Sequence, residues 1–293
     1  MKKIIVSLMI VLSLSACAPK PSGDKLQIVV SFYVLEDLTR KIGGEWVDII
    51  DVMPAGSEPH EFEPSTQTMM TLSDASLILI LGNDFEPWFN DAYDNVKKED
   101  QQVVVLSEGI ETLVNESTGQ IDPHLWTSIR NIITILDRIK TVLIQADPTH
   151  QNAYQANYES ARADFEALDA QYQEVIDQRI RDEFITNHAA FGYLAKDYGL
   201  TMIPIMGLEP DAEPDAATMA RIIDLVKTYK IPYILYEDDA SADVAKTIAQ
   251  ETGAKVGILR PGESLTSAQI QAGDDLLSIM KENLVWLKKA LQE

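Results

Sequence analysis

Three histidines stand where they could do chemistry, in a chain that has only four. His60 lies in residues 56–65 (GSEPHEFEPS), between Pro59 and Pro64 and among Glu58, Glu61 and Glu63. The β-branched run at 47–52 (VDIIDV) predicts a strand, so this reads as a rigid, acidic loop leaving a strand end. His124 stands in DPHLW and His188 in TNHAAFGYLA, each after a predicted strand. His150, in the turn DPTHQNAY, is read as incidental. Glu263, in RPGE, leaves the end of the last predicted strand. Three imidazoles and one carboxylate form a four-coordinate set suited to zinc. Imidazole nitrogen is borderline in softness and also suits iron, nickel or copper, whereas carboxylate is harder. The four residues are scattered along the chain, and their spacing alone does not join them. Glu237, Asp238 and Asp239 form another acidic run at a strand end; they could stand behind the metal ligands, line a rim or be plain solvated charge, and the last is the reading favoured.

Several chemistries lack their motif. There is no HExxH helix of a zinc protease, no GxSxG turn, no Walker loop and no GxGxxG. A single cysteine, Cys17, excludes a zinc finger and an internal disulfide.

The elements that must position these residues alternate in type. Residues 25–33, 47–52, 76–81 and 102–106 predict strands, with helices at 35–42, 65–72 and 85–96 between them. The run SLILIL at 76–81 is apolar throughout, as in a strand buried on both faces of a parallel sheet. Residues 129–145 predict an amphipathic helix. Residues 149–179 then contain neither Pro nor Gly and show Tyr154, Tyr158, Phe165, Leu168 and Tyr172 at helical spacing. Some thirty helical residues make a rod of roughly 45 Å, long enough to join two domains. Beyond it the alternation resumes. Strands are predicted at 182–186, 201–205, 232–236 and 255–259, with helices at 189–198, 215–229, 241–252 and 274–291. Pro204 is awkward for a central strand. The fold class expected is α/β: two lobes with mostly parallel sheets joined by one long helix. In open sheets of this kind ligands bind outside the carboxyl ends of the strands. Two such lobes facing each other could bring His60, His124, His188 and Glu263 together in the cleft between them.

At 293 residues and 46% hydrophobic composition the chain can bury a large core. Its net charge of -22 argues against nucleic acid, whose binding needs basic surface, and mildly favours cations. The start of the chain is a separate matter. Lys2 and Lys3 precede an apolar stretch at 4–14, too short to span a membrane, and the stretch ends in LSAC. Small residues before a cysteine resemble a bacterial lipobox. Residues 1–16 are therefore expected to be a lipoprotein signal peptide, with Cys17 lipidated and 17–24 a tether.

The lipobox, GSEPHEFEPS, FEPW at 85–88, DPHLW, HAAFGYLAKDYGL, GLEPDAEPDAATM and PGESLT resemble the metal-binding lipoproteins of zinc and manganese ABC transporters. The resemblance covers the whole exported chain. It implies two α/β lobes joined by a rigid helix, with metal in the cleft: an N-terminal lobe at 25–147, a linker helix at 148–180 and a C-terminal lobe at 181–293. It implies His60, His124 and His188 as the first three ligands and Glu263 as the fourth. Members of the manganese branch carry Glu at the third position and Asp at the fourth, so His188 places the resemblance in the zinc branch. The long His-rich loop of many zinc-branch members has no counterpart, since residues 111–121 are short and hold no histidine.

The function expected is extracytoplasmic zinc capture, with Zn2+ as cargo and manganese or iron as the alternative. The partners expected are an ABC permease with its ATPase subunit, and the bacterial cell membrane through the lipid. The protein is expected to be a monomer and not an enzyme. A surface zinc hydrolase and a metal-dependent adhesin are the rivals from other classes. A hydrolase needs an open position on the metal, which Glu263 would fill.

Overall fold

A computed structural model describes residues 25–115, 118–208, 214–237 and 242–293. Cys17, with the leader and tether, lies outside the described residues, as do Asp238, Asp239 and part of GLEPDAEPDAATM. The first lobe runs β1 Leu26–Val30, α1 Tyr33–Gly43, β2 Val47–Asp51, α2 Thr66–Asp74, β3 Leu77–Ile80, α3 Phe89–Asp94 and β4 Gln102–Val105. Helices α4 Ile129–Ala146 and α5 Gln151–Asp177 follow. The second lobe runs β5 Glu183–Thr186, α6 Gly192–Tyr198, β6 Thr201–Pro204, α7 Ala216–Tyr229, β7 Tyr233–Tyr236, α8 Asp243–Thr252, β8 Lys255–Ile258, α9 Ser267–Ala272 and α10 Leu276–Gln292.

Each lobe holds a four-stranded sheet, in the orders β2-β1-β3-β4 and β6-β5-β7-β8, and every described strand pair is parallel. Side chains alternate between the two faces of a strand, and both faces are buried here. Ile28 and Val30 join a core shared with α1, α4 and α5, while Val29 joins a smaller cluster under α2 and α3. Phe184 and Leu235 face that same large core, and Ile185 and Ile234 face one under α7 and α8. All four residues of β3 are buried, as its apolar run predicts. Pro204 fits because β6 is an edge strand, where a missing N–H breaks no ladder.

Helix α5 is the predicted rod, 27 residues and about 40 Å long. It is fastened in both lobes. Asn157 Nδ2 donates to the Ile42 carbonyl at 2.9 Å, and Tyr172 hydroxyl donates to the Met280 carbonyl at 2.7 Å. Tyr154, Phe165, Leu168 and Tyr172 are buried along one side, so the aromatic stripe is core. Among the described residues no helix is long and apolar enough to cross a membrane.

Some predicted bounds differ from the structure for identifiable reasons. The first strand stops at Val30, and Tyr33 already belongs to α1. The helix expected at 85–96 is only α3, because Asn83 and Asp84 take left-handed backbone angles and Glu86 is used otherwise. The Glu86 carboxylate accepts from Ser31 Oγ at 2.5 Å, Leu81 N at 2.8 Å and Gly82 N at 2.9 Å. It thus ties the ends of β1 and β3 together and holds residues 82–88 in a turn. Before α10 there is an extra short helix, α9, with Asp275 capping α10 through Ser278 N at 2.8 Å.

Asp51, at the end of β2, is half-buried and accepts from Met53 N at 2.9 Å. Burial, opposed by that amide and aided by the charge of Glu36, pushes its pKa up to about 7. The folded value lies above the unfolded one, near ~4, so the stability linked to this proton is present below about pH 4. It is lost as pH rises through about 7. Asp51→Asn keeps the acceptor for Met53 and removes the buried charge. It is expected to raise stability at pH 8 by about 1 kcal/mol, discounted for partial exposure, and by nothing at pH 4. Urea unfolding at both pH values checks this, and a gain that does not depend on pH would refute it.

Candidate metal centre

The four candidate ligands follow the carboxyl ends of four strands. His60 comes after β2, in a tight turn over Pro59–Glu61. Pro59 fixes the first φ of that turn, and Glu58 accepts from His60 N at 3.1 Å, so the loop is rigid for local reasons. His124 follows β4 and opens the turn Leu125–Thr127. His188 comes two residues after the end of β5, where Thr186 Oγ1 donates to the His188 carbonyl at 2.8 Å. Glu263 follows β8, next to Gly262 in the left-handed region (φ +75°), where a Cβ would come within 3.2 Å of Leu276. The loops are tied across the cleft: Trp126 Nε1 donates to the Pro261 carbonyl at 2.9 Å, linking the His124 loop to the Glu263 loop.

One donor atom from each of His60, His124, His188 and Glu263 lies within 4.8 Å of every other. His60 Nε2 is 3.2 Å from His124 Nε2, which is 3.4 Å from His188 Nε2. Glu263 Oε2 is 3.6 Å from His60 Nε2 and 3.9 Å from His124 Nε2. Donors at about 2.0–2.1 Å around a tetrahedral ion lie roughly 3.3 Å apart, so these separations suit one small four-coordinate cation. His124 and His188 are fully buried, and Glu263 is 6% exposed. Phe32, Phe85 and Trp126 form an apolar wall, with Phe85 edge-on to His60 at 5.7 Å between ring centres. His150 lies elsewhere, stacked on Trp46 and paired with Asp147, as its incidental reading expects.

Two further carboxylates orient the rings. Asp122 Oδ1 is 2.8 Å from His124 Nδ1 and also accepts from His124 N at 2.9 Å. Glu237 Oε1 is 2.5 Å from His188 Nδ1. A carboxylate on Nδ1 fixes the tautomer that leaves Nε2 free to ligate and makes the ring more basic. Reading Glu237 as solvated charge is therefore wrong: it is buried and paired with His188. Its run at the carboxyl end of β7 carried the signal, as did the DPH sequence that sets Asp122 two residues before His124. What the sequence lacks is the pairing of β7 beside β5, which brings Glu237 to His188.

The charges balance within the cluster. Burial, with help from the charge of His188, pushes His124 well below the usual imidazole range. Burial would also depress His188, but the Glu237 carboxylate overrides it and holds that ring at about 9. Burial would raise Glu263, yet the three imidazoles draw it down to about 2. The cluster thus holds one fixed anion, Glu263, among its imidazoles.

Residues 28–290 match the family described as zinc-uptake complex component A, periplasmic. The zinc-binding lipoprotein AdcA of Streptococcus pneumoniae is 34% identical over an alignment of 309 residues, which covers 100% of this chain and 62% of that protein. The chain thus spans under two thirds of the length of that relative. The high-affinity zinc uptake system protein ZnuA of Bacillus subtilis is 33% identical, over 92% of this chain and 88% of that one. The crystal structure of the Zn(II)-bound ZnuA-like domain of S. pneumoniae AdcA superposes with a TM-score of 0.82 at 34% identity. It covers 92% of this chain and 100% of that domain. A family match over nearly the whole described length, two lobes on one long helix and this superposition agree, and the chain belongs to the family of periplasmic zinc-uptake complex component A proteins.

Proposed function

We propose that this chain captures zinc outside the cytoplasm and hands it to an ABC permease, with His60, His124, His188 and Glu263 as the four ligands. The observation that carries the reading is the convergence of those four donors within 4.8 Å, two from loops of each lobe. Three imidazole nitrogens and one carboxylate favour zinc over harder cations, the metal displacing the proton that Glu237 holds on His188, and a filled fourth position favours carriage over hydrolysis. The relatives named for zinc binding and uptake support the same cargo. Calorimetry of the metal-free protein tests it: one zinc per chain, displacing manganese at equal concentration. Displacement of zinc by manganese would make manganese the cargo.

Capture proceeds as zinc sheds water onto three Nε2 atoms and Glu263 Oε2. The apolar wall and the two outer carboxylates keep the rings in place, so little reorganisation is required. Release needs the permease to shift the lobes, and α5, bonded to α1 and to α10, keeps that shift small. The lobes are taken as 25–147 and 181–293, with 148–180 as the linker. Cys17, after LSA, is the proposed lipid anchor that holds a monomer beside its permease and the ATPase subunit on the bacterial cell membrane. Cys17→Ser should abolish incorporation of labelled lipid and release the protein from the membrane fraction. Normal labelling of that variant would remove the anchor from this reading.

A further inference from the structure

His124 and His188 are fully buried, their outer nitrogens are covered by Asp122 and Glu237, and aromatic rings close the wall beside Phe85. Among the described residues, His60 and Glu263 are the members of the cluster that keep any exposure. A cavity of about 260 Å³ adjoins the cluster at Glu263, the one candidate ligand in its lining, with Tyr33, Glu36, Asp51, Ala55 and Ile270 around it. Tyr33, Glu36, Asp51 and Ala55 come from the first lobe, and Glu263 and Ile270 from the second. Glu263 belongs to both places. It lines this cavity while its buried Oε2, without a hydrogen-bond partner, points toward the histidines, the nearest nitrogen being His60 Nε2 at 3.6 Å. Among the described residues no cation pairs with Asp51, and Glu36 pairs only with Arg40 one turn along α1.

We propose that zinc enters and leaves through this cavity, meeting Glu36 and Asp51 first and passing from them to Glu263 and the histidines. The proposal rests on the four-ligand reading of the site. Glu36, shared with Arg40, and Asp51, ionised above about pH 7, put negative charge at the mouth of a low-dielectric cleft. At about pH 8 such charge raises the local cation concentration and can raise on-rates by about 10-fold or more, an effect that salt screens. The ion exchanges its waters stepwise for carboxylate oxygens before it meets an imidazole, so no step strips it bare. Because the two lobes form opposite walls, a small lobe shift widens the passage. Tyr33 hydroxyl, 3.5 Å from the Asp274 carbonyl, marks the seam.

Stopped-flow uptake of Zn2+ by the chelator-stripped full chain, read against a fluorescent zinc chelator, tests the route. Asp51→Asn with Glu36→Gln should lower the association rate about tenfold at low salt and flatten its salt dependence. Ala55→Trp, an obstruction at the exposed mouth, should slow association and dissociation by the same factor. A barrier raised on the path that the ion uses changes both rates and leaves their ratio, so the equilibrium constant should hold within about twofold. Unchanged rates in both variants, or weaker affinity at an unchanged association rate, would overturn the route. A wild-type chain that takes up no zinc, or a His188→Ala chain that binds as tightly, would instead overturn the site itself.

Discussion

His188→Ala is expected to abolish tight zinc binding and to destabilise the fold, and the two effects can be separated. Removing an outer partner of a metal ligand costs about 10–100-fold in affinity, and removing the ligand should cost more, on the order of 1,000-fold. The same substitution leaves the Glu237 carboxylate buried without its imidazole partner, keeping only the backbone amide of residue 188. Breaking a buried pair from one side costs about 3 kcal/mol. His188→Ala with Glu237→Gln removes that stranded charge. The double variant should recover most of the lost stability in urea unfolding and none of the lost zinc affinity in calorimetry. Recovery of zinc binding in the double variant would mean that His188 acts by neutralising Glu237, and not as a ligand.

The sequence foreshadows the fold well where the signal is local. The apolar run of β3, the uninterrupted stripe of α5 and the ends of the helices predicted at 189–198 and 241–252, each before a glycine, all act through neighbours in the chain, and each appears where expected. The errors lie where tertiary contacts decide. Residues 85–88 fall in the predicted helix but form a turn, because the Glu86 carboxylate is drawn onto Ser31 and the end of β3. The site divides the same way. His60 and His124 announce themselves through Pro and acidic neighbours, and the position of each after a strand end follows from alternation. That all four donors meet is legible only through family resemblance, since nothing local relates residue 60 to residue 263. Glu237 and Asp122 were the least legible. A carboxylate touching Nδ1 of a buried ring has the same sequence appearance as one in solvent.

Glu263→Ala is expected to weaken zinc binding without abolishing it and to admit water to the metal. In the proposed site Glu263 supplies the one anionic donor, and the imidazoles around it draw its pKa down to about 2, so its charge is present at neutral pH. Losing it removes a charge-assisted contact and leaves three nitrogens with an open position, the arrangement that lowers the pKa of a zinc-bound water toward ~7. Affinity should fall on the order of 100-fold, less than on loss of His188, because three donors remain in place. X-ray absorption should show three nitrogen shells and one water oxygen. Glu237 is the obvious substitute, yet its Oε1 is committed to His188 Nδ1, on the side of the ring away from the other three donors. Reaching the metal would require breaking that contact and turning the ring. Glu237→Gln should therefore lower affinity only about 10–100-fold and leave a protein oxygen on the zinc. If Glu263→Ala keeps full affinity and a protein carboxylate on the metal while Glu237→Gln loses that carboxylate, the fourth ligand is Glu237. The cleft then closes from the second lobe's β7 loop, and not from the loop after β8.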